Sequence, residues 1–403
     1  AAVRSPGPPA RGAQAVRDMI YLDHNASTPV RPEVREAMGE ALTNLHANPS
    51  SLHREGQRAR AAVERAREQV AALVNAQPDE VTFVSGGTEG DHAGLIGLAW
   101  AAEALGRRVA VAAIEHHAVH GAAEVLARMG FTIEHLPADP EGRTGAGRLA
   151  ALPAGTTVLA MMLANNETGV MQPVAEAAEF AHRRGLRLHC DAVQAAGKVP
   201  VDVAALGADT LVISAHKLCG PKGIGALIVR RGTPWEPLFR GSGHEHGRRG
   251  GTENLPGIVG FGLAAELAGR ELADESRRLA ALRDALEAAM FAAAPDTVIH
   301  GAGAARLPNT SNASFPGARS DHLLMALDAR GIAVSAGAAC ASGAVEPSPV
   351  LSAMGVPREL AVCALRFSLG RTSTAAEVER AGQELAAAIR AARTTTAPAG
   401  VRA

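Results

Sequence analysis

The pattern of apolar and polar positions along the chain predicts alternating helices and strands. Between residues 58 and 74, apolar side chains recur at helical spacing with Arg and Glu between them, which predicts an amphipathic helix. Further helices are predicted near 88–104, 118–129 and 173–184. Short β-rich runs lie between them, at 81–84, 109–113, 158–163, 186–190, 211–214 and 226–229. Apolar strands alternating with helices predict an α/β fold with a mostly parallel sheet covered on both faces.

Nearly every predicted strand ends in a cluster of polar residues. The five clusters are SGGTEGDH after Val84, EHHAVH before residue 121, ANNETG after Leu163, DAVQ after Cys190 and AHK after Ser214. In open α/β sheets, ligands bind beyond the carboxyl ends of the strands. The clusters therefore predict one composite site, the alternative being that they are ordinary connecting loops.

The amino-acid composition of the chain changes after about residue 257. The stretch 260–290 is rich in Ala, Leu, Glu and Arg and predicts one or two long helices, and short strands follow near 313–315 and 332–334 before a final helix near 375–392. We expect a smaller α+β lobe here. The predicted divisions are a tail at 1–18, a large domain at 31–262, a small domain made of 19–30 and 263–393, and a tail at 394–403.

Composition narrows the classes of function. The 403 residues carry 40 Lys and Arg against 41 Asp and Glu, and this balance argues against nucleic acid or a charged membrane surface as the main partner. No apolar run approaches the roughly 18 residues that span a bilayer. The first 18 residues lack the apolar segment of a secretory signal, although arginine without acid also suits a transit peptide. Four widely spaced cysteines without a CxxC pair predict a reduced, cytoplasmic protein.

Two of the polar clusters have features of a cofactor site. Gly86, Gly87 and Thr88 lie between a strand and a helix, where backbone N–H groups and the helix dipole favour a phosphate. The absence of a following Gly-Lys-Ser/Thr argues against a P-loop, and an ordinary helix-capping turn is the alternative. Lys217 follows another strand, and a lysine at a crowded strand end can form a Schiff base.

Pyridoxal 5′-phosphate (PLP) requires such a lysine, an acid for its ring nitrogen and a phosphate cup. Asp191 fits the acid, Gln194 could bond the phenolic oxygen of the ring, and His116 could stack on it. Each residue also has an ordinary interpretation, namely a solvated lysine, a helix cap or a polar loop residue. Together they match the requirements of one cofactor.

The chain resembles the cysteine desulfurases of the NifS/IscS type. These are enzymes of the class V aminotransferase group with the PLP-dependent transferase type I fold, which has a mostly parallel seven-stranded sheet and a smaller α+β lobe. The resemblance covers about residues 20 to 379 in the family's order and spacing. It is carried by SGGTEGD, EHHAV, ANNETGV.QPV, DAVQ..GK, SAHK..GPKG, GRRGGTEN and SAGAACASG....PSPVL.

The resemblance implies a role for each site residue. Lys217 would bind PLP covalently, and Cys340 would be the catalytic sulfur acceptor. Thr252 would bind the phosphate in the neighbouring subunit, which implies a homodimer. The substrate carboxylate would be bound by Asn166 and Arg366, and the remaining cofactor contacts would come from Gly87, Thr88, His116, Asn166, Asp191, Gln194, Ser214 and His216.

The reaction implied is conversion of L-cysteine to L-alanine with a persulfide left on Cys340. The sulfur would pass to an acceptor such as an iron–sulfur scaffold protein or a thiolation system. His116 is a candidate catalytic proton shuttle, because imidazole titrates near neutral pH. Cys340 lies among Ser, Ala and Gly at 335–343, unlike a core cysteine, and the stretch from Cys340 to Val350 matches the long-loop type of the family.

Three alternative functions remain open, and four residues differ from the family's usual pattern. A selenocysteine lyase or C–S lyase of the same group is the main enzymatic alternative, and a PLP-fold scaffold without catalysis is another. Zinc is a third, because histidines cluster, although no HExxH is present; these clusters are His116, His117 and His120, and His244, Glu245 and His246. Four residues differ from the family's usual ones, namely His24, His92, Cys219 and Gly250.

Overall fold

The structure is a computed structural model that describes residues 19–337 and 346–396. Cys340 and the predicted tail at 1–18 lie outside the described residues. The strands are β1 (Ile20–Tyr21), β2 (Val81–Val84), β3 (Arg108–Ala112), β4 (Thr132–Leu136), β5 (Thr156–Ala160), β6 (Arg187–Asp191), β7 (Thr210–Ser214), β8 (Gly225–Val229), β9 (Val298–Ile299), β10 (Thr310–Ser314), β11 (Ile332–Ala333) and β12 (Ala364–Ser368).

The helices alternate with these strands through the first two thirds of the chain. They are α1 (Pro32–Asn44), α2 (Arg54–Leu73), α3 (Gly87–Ala101), α4 (His117–Arg128), α5 (Ala146–Ala150), α6 (Val174–Arg183), α7 (Val203–Leu206), α8 (Leu255–Ala293), α9 (Ser320–Asp328), α10 (Pro349–Ala353), α11 (Arg358–Ala361) and α12 (Ala375–Thr396). None of the helices in the described ranges is long and apolar enough to span a bilayer.

The large lobe contains a seven-stranded sheet in the order β2-β8-β7-β6-β5-β3-β4. Only β8 runs against the others in this sheet, because it pairs antiparallel with both β2 and β7. The carboxyl ends of β2, β3, β5, β6 and β7 therefore meet at one edge, which confirms the predicted α/β fold. Strand β4 was not predicted from the sequence, because this edge strand is largely exposed and carries Glu134 and His135 in place of an apolar run.

Helix α8 connects the two lobes. It runs unbroken for 39 residues, about 58 Å at 1.5 Å per residue. Its first half, including Ile258 and Phe261, packs into the main core of the large lobe. Its second half, including Leu286 and Met290, packs into a separate core in the small lobe. The predicted domain limit at 262/263 thus falls inside one helix, and the domain division stays a prediction.

The small lobe is built on two small sheets. Strands β12, β10 and β9 form an antiparallel sheet, and β1 pairs in parallel with β11. Helix α12 packs on this core and continues to Thr396, so the predicted tail at 394–403 begins with the last turn of a helix. From β1 the chain crosses toward the large lobe, where the Thr28 N–H donates to the carbonyl oxygen of His216 at 3.0 Å. This crossing covers the Lys217 turn with residues from the amino-terminal end of the described chain.

Candidate active site

A cavity of about 230 Å³ lies at the carboxyl edge of the large sheet. It unites residues from all five polar clusters that the sequence analysis singled out. Its lining includes Gly87, Thr88, His116, Asn166, Asp191, Gln194, His216 and Lys217. The prediction of one composite site is therefore supported by the arrangement of these side chains.

The phosphate cup is formed where β2 turns into α3. Helix α3 begins at Gly87 on the cavity wall, so the unpaired N–H groups of its first turn are available to an anion. The Ser214 hydroxyl at the end of β7 is buried and has no hydrogen-bond partner among the described residues. A buried hydroxyl normally has a partner, so Ser214 fits a ligand oxygen. These donors suit the phosphate of PLP.

Lys217 ends the short helical turn that follows β7. Its Nζ donates to the backbone carbonyl oxygens of Asn25 and Ala26, the latter at 2.9 Å. Burial lowers the pKa of Lys217 to about 8, the Arg366 charge adds to this effect, and Asp191 opposes it. The neutral amine is consequently far more available at physiological pH than that of an ordinary lysine.

Asp191 belongs to a group of buried acids beneath the cavity. One oxygen of Asp191 accepts from the Val193 N–H at 2.8 Å, and burial raises the pKa of the carboxyl to about 6. Burial also raises the pKa values of Asp91 and Glu115. Because Asp191 has the least raised of these carboxyls and lines the cavity, it is the acid best suited to a protonated ring nitrogen. Sequence analysis did not identify Glu115 as part of this group.

His116 caps the first turn of α4. Its Nδ1 accepts from the Ala118 N–H at 3.1 Å, which leaves Nε2 to carry the ring proton. Burial, with a contribution from Lys217, lowers the pKa of His116 to about 4. The ring is therefore neutral at pH 7, and the role of His116 as a proton shuttle stays a prediction. A neutral ring remains suited to stacking.

Arg366 lies on β12 in the small lobe and contacts Asn166, which lines the cavity. Its guanidinium donates to the Asp23 carboxylate at 2.6 Å and to the Asn166 carbonyl oxygen at 3.2 Å. Its Nε is buried and has no partner among the described residues. Arg366 therefore keeps donor capacity for a substrate carboxylate, which would share the guanidinium with Asp23. Asp23 was not anticipated from the sequence.

Asn25 is a second residue that sequence reasoning missed. Its backbone carbonyl oxygen accepts from Lys217 and from Gln194 Nε2, and its side-chain Oδ1 accepts from Lys198 Nζ at 3.1 Å and Asn309 Nδ2 at 3.0 Å. Lys198 also donates to Gln194 Oε1 at 2.8 Å. This network fixes the orientation of the Gln194 amide. Asn25 lies in the polar LDHNAST segment, but the sequence does not indicate that this segment contacts Lys217, Gln194 and Lys198.

Thr252 is exposed and lies apart from Lys217 within one chain. It lines a different cavity of about 160 Å³, with Gly223, Arg249 and Asn254. The assignment of Thr252 to a neighbouring subunit's site stays a prediction. The departure at Gly250 nearby has a steric reason, because a Cβ there would lie 2.8 Å from the Cα of Gly241.

His24 and Cys219, two of the residues that differ from the family's usual ones, lie close together. Both line a cavity of about 70 Å³ behind Lys217 that Lys198 also borders. Burial lowers the pKa of His24 to about 4, and the nearby Lys198 adds to this effect, so the ring is uncharged at neutral pH. Cys190 lies in the main core of the large lobe, and Cys363 is also buried.

The histidine clusters do not form a metal centre within residues 19–337 and 346–396, where no group of three His, Cys, Asp or Glu side chains could hold an ion. Glu245 accepts instead from Arg67 Nη1 at 2.7 Å and from the Phe83 N–H at 2.7 Å. Its carboxylate is thereby occupied. The zinc alternative gains no support from this region.

Sequence comparison identifies relatives along nearly the whole chain. The class V aminotransferase family model matches residues 20–381. The cysteine desulfurase IscS of Dictyoglomus turgidum is 43% identical over 356 residues, covering 88% of this chain and 90% of that protein. A cysteine desulfurase of Cereibacter sphaeroides is 46% identical over 366 residues, covering 90% and 94%.

Solved structures show the same architecture. A NifS-like protein superposes with a TM-score of 0.86 at 34% identity, covering 92% of this chain and 99% of that one. The NifS-like protein from Rickettsia africae gives a TM-score of 0.83 at 30% identity, with the same coverage. A structure described as SspA in complex with cysteine gives 0.77 at 31% identity, covering 87% and 98%.

Proposed function

The chain belongs to the class V aminotransferase family, and we propose that it is a PLP-dependent cysteine desulfurase. It would convert L-cysteine to L-alanine and transfer the sulfur to Cys340. The observation that carries this proposal is the convergence of Lys217, Asp191 and the first turn of α3, with Gly87 and Thr88, on one cavity. The printed names of relatives over 40% identical support the substrate.

The residues present fit PLP. The unpartnered Ser214 hydroxyl and the first turn of α3 suit its phosphate, Asp191 suits its ring nitrogen, and the oriented Gln194 amide suits its phenolic oxygen. Lys217 would hold it covalently. When bound, PLP supplies an electron sink for the electrons left by the substrate's α-proton.

The chain's own groups would perform the remaining work. The amino group of the substrate would take the place of Lys217 on the cofactor, and the freed Lys217 Nζ, with a pKa of about 8 as the free amine, could accept the α-proton and later return one. Arg366 and Asn166 would orient the substrate through its carboxylate, and the Asp191 carboxylate would hold the proton on the ring nitrogen. The Cys340 thiolate would then attack the substrate sulfur. The carbon–sulfur bond breaks, the sulfur stays on Cys340 as a persulfide, and the protonated remainder leaves as L-alanine.

Partners and location are part of the same proposal. Thr252 is exposed at a cavity of its own, which supports its contribution to the site of a second copy in a homodimer. Sedimentation should give a dimer, and a fully active monomer would contradict this. The persulfide would pass to a sulfur-acceptor protein such as an iron–sulfur scaffold. The absence of a disulfide among the described cysteines accords with the proposed cytoplasmic location.

The product distribution tests the proposed function. Purified protein is loaded with PLP and given L-cysteine for one turnover without an external thiol. We expect L-alanine and Cys340 persulfide in equal amounts. Pyruvate, ammonia and free sulfide would instead identify a C–S lyase. Turnover of selenocysteine with no reaction of cysteine would identify a selenocysteine lyase.

A further inference from the structure

Glu167 carries a buried carboxyl group beside the residues proposed to bind the substrate. No step of the proposed reaction uses this carboxyl. Glu167 follows Asn166 in the loop after β5, and its side chain is 6% exposed. Its backbone is held on both sides, since its N–H donates to Asn165 Oδ1 at 2.9 Å and its carbonyl oxygen accepts from Asn312 Nδ2 at 3.4 Å. The position of the carboxyl is thus fixed by the surrounding loop and by β10.

The carboxyl binds Ser348, which begins helix α10. The Ser348 hydroxyl donates to Glu167 Oε2 at 2.5 Å. The same hydroxyl oxygen accepts from the Val350 and Leu351 N–H groups at 3.1 and 3.2 Å, so it is also the cap of α10. The single hydroxyl proton of Ser348 therefore goes to Glu167, which anchors the start of this helix.

The same carboxyl packs against Gly337. A Cβ at Gly337 would lie 2.1 Å from Glu167 Oε2, so any side chain at this position would displace the Glu167 carboxyl. Two residues earlier, Ser335 pairs with Arg366 through backbone hydrogen bonds in both directions. Gly337 is consequently held between β12 and the Glu167 carboxyl.

Burial of this carboxyl is unfavourable by itself. It raises the pKa of Glu167 to about 7, although the Ser348 hydroxyl and the Arg366 charge both act to lower it. A buried carboxyl that only filled space could be replaced by an apolar side chain at lower cost. Its retention beside Arg366 points to a role in the site.

We infer that Glu167 is a positioning residue for sulfur transfer, because it holds Gly337 and Ser348, the described residues on either side of the Cys340 segment. This inference rests on the proposed function. One carboxyl next to Asn166 thus contacts described residues that precede and follow Cys340 in the chain, both of them close to the residues proposed to bind the substrate. Glu167 itself would contact neither the substrate nor the sulfur.

The test separates the two halves of the reaction in PLP-loaded protein. Exchange of the α-proton of L-cysteine in D2O reports on Lys217, and mass spectrometry of the Cys340 peptide reports on persulfide formation. Glu167→Ala should keep α-proton exchange and lose persulfide formation by about tenfold or more, because a buried charged hydrogen bond is removed. Glu167→Gln retains an acceptor for Ser348 and should recover part of the loss. Ser352→Ala removes the hydroxyl that donates to the Ser348 carbonyl oxygen at 2.9 Å but keeps the bond from the Ser348 hydroxyl to Glu167, so it is the control for a general loosening of the helix and should match wild type.

A second pair of variants uses the contact at Gly337. Gly337→Ala should reduce persulfide formation in the wild-type background, because the new methyl group meets Glu167. In the Glu167→Ala background it should add little, because the atom it would meet is gone. Independent, multiplying losses would contradict the inference. If Glu167→Ala does not fold, Ser348→Ala removes the same hydrogen bond from the other side and should also lower persulfide formation.

Alkylation of Cys340 in cofactor-free protein gives a readout that needs no turnover. Iodoacetamide should label Cys340 several-fold faster in Glu167→Ala than in wild type and at an unchanged rate in Ser352→Ala. An unchanged labelling rate in Glu167→Ala, persulfide formation at the wild-type rate, or an equal loss of exchange and persulfide would overturn the inference while leaving the proposed function standing. Wild-type protein that shows neither exchange nor persulfide would overturn the proposed function itself.

Discussion

Lys198 Nζ donates a hydrogen bond to the side-chain oxygen of Gln194 at 2.8 Å, in a part of the large lobe where both residues are buried. Lys198 also donates to Asn25 Oδ1. A buried lysine is costly unless its donors are satisfied, and here two of them serve residues that border the Lys217 amine. The interaction connects the cofactor-facing amide to the amino-terminal segment that covers Lys217.

Replacement of Lys198 should therefore weaken cofactor binding. Lys198→Met keeps the apolar stem but leaves Gln194 Oε1 without its donor and removes one of the two donors to Asn25 Oδ1, and the affinity for PLP should fall about tenfold. Titration of apoprotein with PLP, followed by absorbance, measures the change. Lys222→Met is the matched control, because Lys222 is exposed in the loop between Lys217 and β8. Equal affinities for the two variants would remove Lys198 from this role.

The lowered pKa of Lys217 predicts the pH dependence of cofactor attachment. Only the neutral amine attacks the PLP aldehyde, so the rate of covalent uptake by apoprotein should rise as pH increases through about 8. An ordinary lysine would give a rate that still rises near pH 10. Stopped-flow absorbance between pH 6 and 10 measures the profile, and borohydride reduction followed by peptide mapping should locate PLP on Lys217. A midpoint near 10 would show that burial does not tune this amine.

The buried pair of Arg67 and Glu245 should contribute strongly to stability. Glu245→Ala removes the acceptor of the Phe83 N–H and the buried ion-pair partner of Arg67, which keeps only the half-exposed Glu64 and the Val81 carbonyl oxygen, and this should lower the free energy of unfolding by about 3 kcal/mol. Asp79→Ala breaks the exposed contact with Arg231 and should change stability little. Urea unfolding of both variants gives the comparison. Similar losses of unfolding free energy in the two variants would show that burial does not strengthen the contribution of the Arg67–Glu245 pair to stability.

The sequence was sufficient for the sheet and for the residues at its carboxyl edge. Asp191 and Lys217 were predictable because each directly follows an apolar strand, and the ends of parallel strands must meet. Asn25, Asp23 and Lys198 were not, since their contacts depend on how the lobes pack; Asn25 and Lys217 are 192 positions apart. The uncharged state of His116 was also beyond sequence reasoning, because its lowered pKa comes from burial. The exposed strand β4 lacked the apolar run that would have marked it.

Cys340→Ser provides the most direct test of the account, because it removes only the sulfur acceptor. Measurements after a single-turnover exposure to L-cysteine should show wild-type exchange of the α-proton, little L-alanine and no persulfide, since a serine hydroxyl is a poor nucleophile toward sulfur. Replacement of Cys190, Cys219 or Cys363 by Ser should leave persulfide formation largely intact. Release of L-alanine by Cys340→Ser at the wild-type rate would contradict the proposed desulfurase mechanism.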